Sequence, residues 1–330
     1  MTMHLAPDDP RLTWQGAVSL QKADGWLMPW RVPFERRGLF PETLLNAASM
    51  AAGCRIAFRS DTASVAGCIE PVPGMSPIDV CCDGERVGSA PLSERDSFEF
   101  SGLPAGEKLV ELWLPMAGQF RLRGIELSDG ASLAPFDDPR PKWITYGSSI
   151  SHCGGAESPV HTWPGIVARG RGLNLTCLGF GGQCHLDPIV ARMIRDLPAD
   201  AISLKLGINI QGGASLSPRT FRPAVIGSVL TIREGHPDVP LVLVSPICSP
   251  PREVAPNAVG FTLPMMREEL AAAAEALRAH GDPNIHYVDG LEILGPDFRH
   301  LLPDDVHPNA EGYKVLGQRF LDRVAMRLFP

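Results

Sequence analysis

Pro135-Phe-Asp-Asp-Pro-Arg-Pro-Lys-Trp-Ile-Thr-Tyr-Gly-Ser-Ser-Ile-Ser151 is the stretch on which the reading of the fold turns. Its three prolines, Pro135, Pro139 and Pro141, stand within seven residues and stop any regular element, so 135–141 reads as a linker. Directly behind it, Trp143-Ile-Thr-Tyr146 is a short apolar run of buried-strand character that runs into a glycine and two serines. The hydrophobic pattern has one period before this junction and another after it.

Upstream, Arg55-Ile-Ala-Phe-Arg59, Ile78-Asp-Val-Cys-Cys-Asp-Gly84, Ser97-Phe-Glu-Phe100 and Lys108-Leu-Val-Glu-Leu-Trp-Leu114 alternate in short segments. Turn residues such as Asp83-Gly84, Pro104-Ala-Gly106 and Asp129-Gly130 lie between them. Period-two alternation with frequent turns predicts an all-β sandwich, jelly-roll-like, over 1–138, with Phe120–Leu127 as its last strand. Downstream, Trp143–Tyr146, Leu173–Leu178, Ala201–Leu206, Leu241–Ser245 and Ile285–Val288 are apolar runs. Helical patterns over about 163–170, 187–197, 219–234, 263–280 and 309–328 separate or follow them. Strands that alternate with helices make βαβ units, so 139–330 is expected to be an α/β domain with a parallel sheet and helices on both faces.

Composition narrows the function. At 330 residues the chain is long enough for two domains, each with its own core. With 30 Lys and Arg against 37 Asp and Glu, the net charge is −7, and no basic block is present, which argues against a nucleic-acid partner. No apolar run reaches the roughly 18 residues of a spanning helix, and the first residues lack the charged and apolar regions of a signal peptide. A cytoplasmic protein is expected. The eight cysteines form no C-x-x-C pair and read as reduced, mostly buried thiols. His152-Cys153 with Cys184-His185 is the one arrangement suggestive of a metal. Adjacent residues rarely turn onto one ion, so no metal is assigned. Trp14, Trp26 and Trp30 have the spacing of core residues, with a sugar-binding platform as the alternative.

In an open parallel sheet, reactive groups gather beyond the carboxyl ends of the strands. There the chain carries Gly147-Ser148-Ser149, Gly179-Phe-Gly-Gly182-Gln183 and Gly207-Ile208-Asn209, and before the last helix Asp304-Asp305-Val306-His307. Ser149 could cap a helix, with Ser148 as a rival hydroxyl, and either Asp304 or Asp305 could serve His307. Taken together, these blocks resemble the GDSL, or SGNH, esterases and lipases over about 142–330. The resemblance implies a three-layer α/β/α sandwich of flavodoxin-like strand order, and some relatives carry an added N-terminal β-sandwich. It makes Ser149 the nucleophile, and Asp304 and His307 the remaining members of a triad. It makes the Ser149 and Gly182 backbone N–H groups and the Asn209 amide the oxyanion hole. Two positions depart from the pattern: the aspartate before the serine is Ser148, and the aspartate after the asparagine is Ile210.

A serine hydroxyl becomes a useful nucleophile when a base takes its proton, and histidine suits that task near neutrality. A carboxylate three residues before His307 can fix its tautomer. The glycine at 182 admits the close approach of a ligand to the backbone. No Gly-x-Ser-x-Gly elbow of the α/β-hydrolase type is present. The expectation is a cofactor-free serine esterase acting on a small-molecule or sugar ester. The first alternative passes the same acyl group to an alcohol, and the second is a non-catalytic ligand-binding protein. His152, Gln183 and His185 flank the predicted site as possible lining residues.

Overall fold

A computed structural model describes residues 2–330 of the chain. It divides into two compact units, one running to Arg140 with 157–161 and 174–177, the other holding 141–156, 162–173 and 178–330.

The first unit is built on two antiparallel sheets of six strands. One runs in the order Ser19–Ala23, Trp26–Trp30, Leu122–Ser128, Ser64–Ile69, Ser97–Ser101, with Thr2–Leu5 also on Leu122–Ser128. The other runs Ala134–Pro135, Arg55–Ser60, Lys108–Trp113, Ile78–Cys82, Glu85–Ala90, with Thr13–Gln15 on Arg55–Ser60. Inward residues of both, among them Val65, Phe98 and Ile125 against Phe58, Val80 and Leu112, form one buried cluster. This is the layout of a sandwich, in which alternate residues of each strand face the other sheet. The sandwich extends past the strand expected to be its last, because Pro135 pairs with Phe58. The irregular linker is correspondingly shorter. Trp14 packs on the sandwich core, Trp30 is buried with its Nε1–H donated to Gln21, and Trp26 lies under the Arg121 guanidinium. The three do not share an open face.

A parallel sheet runs in the order Asn174–Gly179, Lys142–Gly147, Ala201–Lys205, Leu241–Val244, Ile285–Val288, and all of it but 174–177 belongs to the second unit. Its strands Ala201–Lys205 and Leu241–Val244 are buried end to end, as expected where helices cover both faces. The path first steps outward from Lys142–Gly147, then reverses and proceeds the other way. Right-handed crossovers therefore put the helix Trp163–Arg171 on one face and Pro188–Asp196, Pro218–Arg233 and Leu263–Ala279 on the other. The C-terminal helix Ala310–Phe320 joins the first face, where Phe320 packs on Trp143 and Trp163 with ring centroids 5.9 and 4.9 Å away. Gly317 meets Ile166 there so closely that a β-carbon would crowd it. The last helix is not one regular element as its sequence suggests, because 321–325 widens into a π turn before Met326–Leu328. The strand order reverses between Lys142–Gly147 and Ala201–Lys205, and at such a switch point the loops beyond the carboxyl ends open a crevice.

Candidate active site

Two loops enter that crevice from the neighbouring strands. After Lys142–Gly147 the chain turns straight into a short helix, Ser149–His152, capped by the Ser148 side chain, which accepts from Ile150 N–H at 3.2 Å. The turn is tight: a β-carbon on Gly147 would strike Ser151, and one on Gly179 would strike the backbone of Ser151 and His152. Ser149 occupies the first helical position, where backbone N–H groups have no acceptor within the helix. After Ala201–Lys205, Gly207 adopts φ +119, a conformation open to glycine, and leads into the helix Ile208–Gly213 that carries Asn209.

The third contribution comes from the loop before Ala310–Phe320. Asn309 caps this helix by accepting from Gly312 N–H at 2.9 Å, which leaves Asp304 for another task. Asp304 Oδ1 accepts from the backbone N–H groups of Val306 and His307 at 3.0 and 2.6 Å. Its Oδ2 lies 2.6 Å from His307 Nδ1. An ionised carboxylate only accepts, so Nδ1 carries the proton and Nε2 presents its lone pair. That lone pair meets Ser149 Oγ at 2.7 Å. Burial by itself would push the Asp304 carboxyl up, but the three hydrogen bonds hold it at about 2. Asp304 thus makes the contact with the histidine ring, and the buried Ser148 hydroxyl serves as the cap.

Ser149, Gly182, Asn209, Asp304 and His307 line one cleft of about 610 Å³, with Ile208, Val306, Gly212, Gly213, His185 and Arg252. Asn209 Oδ1 accepts from Cys184 N–H at 3.0 Å, which turns the amide so that Nδ2 is the donor left for another partner. Gly182 has φ +71, and a β-carbon there would meet no protein atom within 4 Å. The backbone conformation, not protein crowding, demands glycine at this point. Its carbonyl accepts from His185 Nε2–H at 2.9 Å, and His185 Nδ1 is hydrogen-bonded to Ser215 Oγ at 2.8 Å. Of the three flanking residues named from the sequence, only His185 lines the cleft. Cys184 is buried, and burial pushes its thiol up to about 12, which keeps it protonated near neutrality. Among the described residues no group of His, Cys, Asp and Glu is arranged to hold a metal ion, and no helix is long and apolar enough to cross a membrane.

The sequence profile of the GDSL-like lipase/acylhydrolase family matches residues 145–315, which span all of these groups. The chain belongs to the GDSL-like lipase/acylhydrolase family. A second profile, the N-terminal domain of SsfX3, matches residues 12–123. The structure of the salicylyl-acyltransferase SsfX3 from a tetracycline biosynthetic pathway matches with 40% identity and a TM-score of 0.91, covering 99% of this chain and 97% of that one. A GDSL-like protein from Bacteroides ovatus shares the fold at 21% identity and a TM-score of 0.78, over 99% and 98% of the two chains. So does a family two carbohydrate esterase from Cellvibrio japonicus, at 15% identity and 0.68, over 99% and 98%. No curated protein sequence matches.

The two departures from the GDSL pattern have local substitutes. Ser148 caps the helix that an aspartate would otherwise cap. Ile210 is buried, and the hydrogen bond that orients Asn209 comes instead from the Cys184 backbone. Sequence reasoning missed that backbone contact, the Ser215–His185–Gly182 chain and Arg252. The first is invisible to side-chain motifs. The other two depend on loops whose course no periodicity announces.

Proposed function

We propose that this GDSL-family chain is a serine acyl-transfer enzyme that takes the acyl group of a small-molecule ester onto Ser149 and hands it to an acceptor hydroxyl. The observation that carries this reading is the continuous relay Ser149 Oγ, His307 ring, Asp304 carboxylate, with contacts of 2.7 and 2.6 Å. His307 Nε2 removes the Oγ proton as Oγ bonds to the ester carbon. The carbonyl oxygen, now negative, meets the N–H groups of Ser149 and Gly182 and the Asn209 Nδ2. Such donors act mainly on the transition state, where the charge develops, and one of them is typically worth about 2.7–4 kcal/mol of barrier. Collapse of the tetrahedral species breaks the bond to the leaving alkoxide, which takes the proton from Nε2. The acyl-enzyme then reacts with a second hydroxyl by the same steps in reverse.

Which hydroxyl comes second is a question of what occupies the cleft, because the relay serves water and alcohols alike. The sequence by itself favours water. The 40% identity with a salicylyl-acyltransferase over nearly the whole of both chains supports an alcohol acceptor. The carbohydrate esterase shares only the fold. We therefore place acyl transfer to an alcohol first, in a cytoplasmic setting that suits eight free cysteines. The deciding experiment supplies an activated ester with a panel of hydroxyl acceptors and separates free acid from transferred ester. Transfer exceeding hydrolysis for some acceptor supports the reading. Free acid as the sole product across the panel favours an esterase, and turnover undiminished in Ser149→Ala rejects both.

A further inference from the structure

The wall of the Ser149 cleft carries one cation that acyl transfer through the relay does not use. Arg252 lines the cleft from the short helix Pro250–Val254. Its Nη1 donates to Ser249 Oγ at 3.2 Å, a neutral partner. The carboxylate beside it, Glu253, is committed elsewhere: its oxygens accept from Arg267 at 2.6 and 2.7 Å and from Ser249 N–H at 3.1 Å. Asp304, the carboxylate that lines the cleft, is closed onto His307. Both ring nitrogens of His185 are engaged within the protein, by the Gly182 carbonyl and Ser215 Oγ. Among the described residues Arg252 makes no ion pair, and its guanidinium keeps N–H donors for whatever enters the cleft. A planar fork of that kind matches a carboxylate or phosphate, and it stands here in a protein of net charge −7.

We propose that Arg252 anchors an anionic group of the substrate, so that the preferred ester bears a carboxylate or phosphate on its acyl or its alcohol side. This rests on the acyl-enzyme reading of Ser149, and the test separates the two. Within each of two pairs of esters, one member carries a carboxylate that the other lacks. p-Nitrophenyl butyrate and mono-p-nitrophenyl glutarate place it on the acyl side, and p-acetoxybenzamide and p-acetoxybenzoate place it on the alcohol side. In the wild type, the anionic member of one pair should exceed its neutral twin in kcat/KM by roughly tenfold or more. Arg252→Gln should cut that ratio by roughly 10- to 100-fold, and Arg252→Lys, which keeps the charge but loses the fork, should restore part of it. The pair that responds identifies the side. If Arg252→Gln does not yield folded protein, the wild type decides alone, since the ratio should fall as ionic strength rises from roughly 0.01 to 0.5 M. A ratio near one for both pairs, a ratio unchanged in Arg252→Gln, or one indifferent to salt overturns the anchor while leaving Ser149 in place. Failure of the wild type to turn over any of the four esters overturns the Ser149 reading and the anchor with it.

Discussion

His307 Nε2 stands 2.7 Å from Ser149 Oγ, although 158 residues separate them in the chain. Ser149 follows a strand next to the point where the sheet order reverses, and His307 arrives on a loop held by the helix that packs over that strand's tryptophan. The contact is therefore a product of topology. Its chemistry depends on a second contact, the Asp304 carboxylate at Nδ1, which decides which ring nitrogen faces the serine.

Asp304→Asn removes that decision. An amide can donate to Nδ1 and so present the wrong tautomer to Ser149, and we expect kcat to fall on the order of 10⁴-fold with the fold intact. The same variant reports on pH. Asp304 is held at about 2, below the ordinary carboxylate range, so the native state binds fewer protons there than the unfolded chain. The stability this group contributes is complete above about pH 4 and is lost as pH falls toward about 2. The difference in urea midpoint between wild type and Asp304→Asn should therefore stay level from about pH 5 to 8 and narrow below about pH 4.

Asn209 allows the oxyanion assignment to be tested with little change of shape. Asn209→Asp keeps an oxygen for Cys184 N–H but replaces the donating Nδ2 with a second acceptor. Both Asn209→Ala and Asn209→Asp should lower kcat by about 10²–10³-fold with a much smaller change in KM. A rise in KM alone would assign Asn209 to ground-state binding instead.

In the sandwich, Phe98 lies across Gly67 on the neighbouring strand, and a β-carbon at 67 would run into its ring. Gly67→Ala forces that ring off its position in the core and should destabilise the protein by about 1–3 kcal/mol, read from urea unfolding. Neutral behaviour of Gly67→Ala would show that the ring moves at no cost.

The same pair shows what the sequence discloses and what it hides. The parallel-sheet unit is legible because its strands are continuous apolar runs and its helices carry their own signals, such as Thr262 accepting from Met265 N–H ahead of Leu263–Ala279. Several sandwich strands are not. Ser64–Ile69 contains Gly67, whose place in a strand depends on an aromatic ring supplied from Ser97–Ser101. Trp26–Trp30 contains Pro29, which a sequence reading discounts as a strand residue. Thr2–Leu5 and Thr13–Gln15 are too short to show a period. Within the cleft, Ser149, Gly182, Asn209, Asp304 and His307 are readable because their types and order are distinctive. Arg252 is not, because one arginine among prolines signals nothing until the loop around it is placed.

The most direct test of Ser149 as the acyl carrier is the intact mass of the protein, quenched in acid within the first turnovers on an activated ester. We expect a population heavier by one acyl group, located by peptide mapping on Ser149, discharged by an acceptor hydroxyl and absent from Ser149→Ala. Turnover with no adduct on Ser149 under single-turnover conditions, or an adduct that maps to another residue and persists in Ser149→Ala, would contradict it.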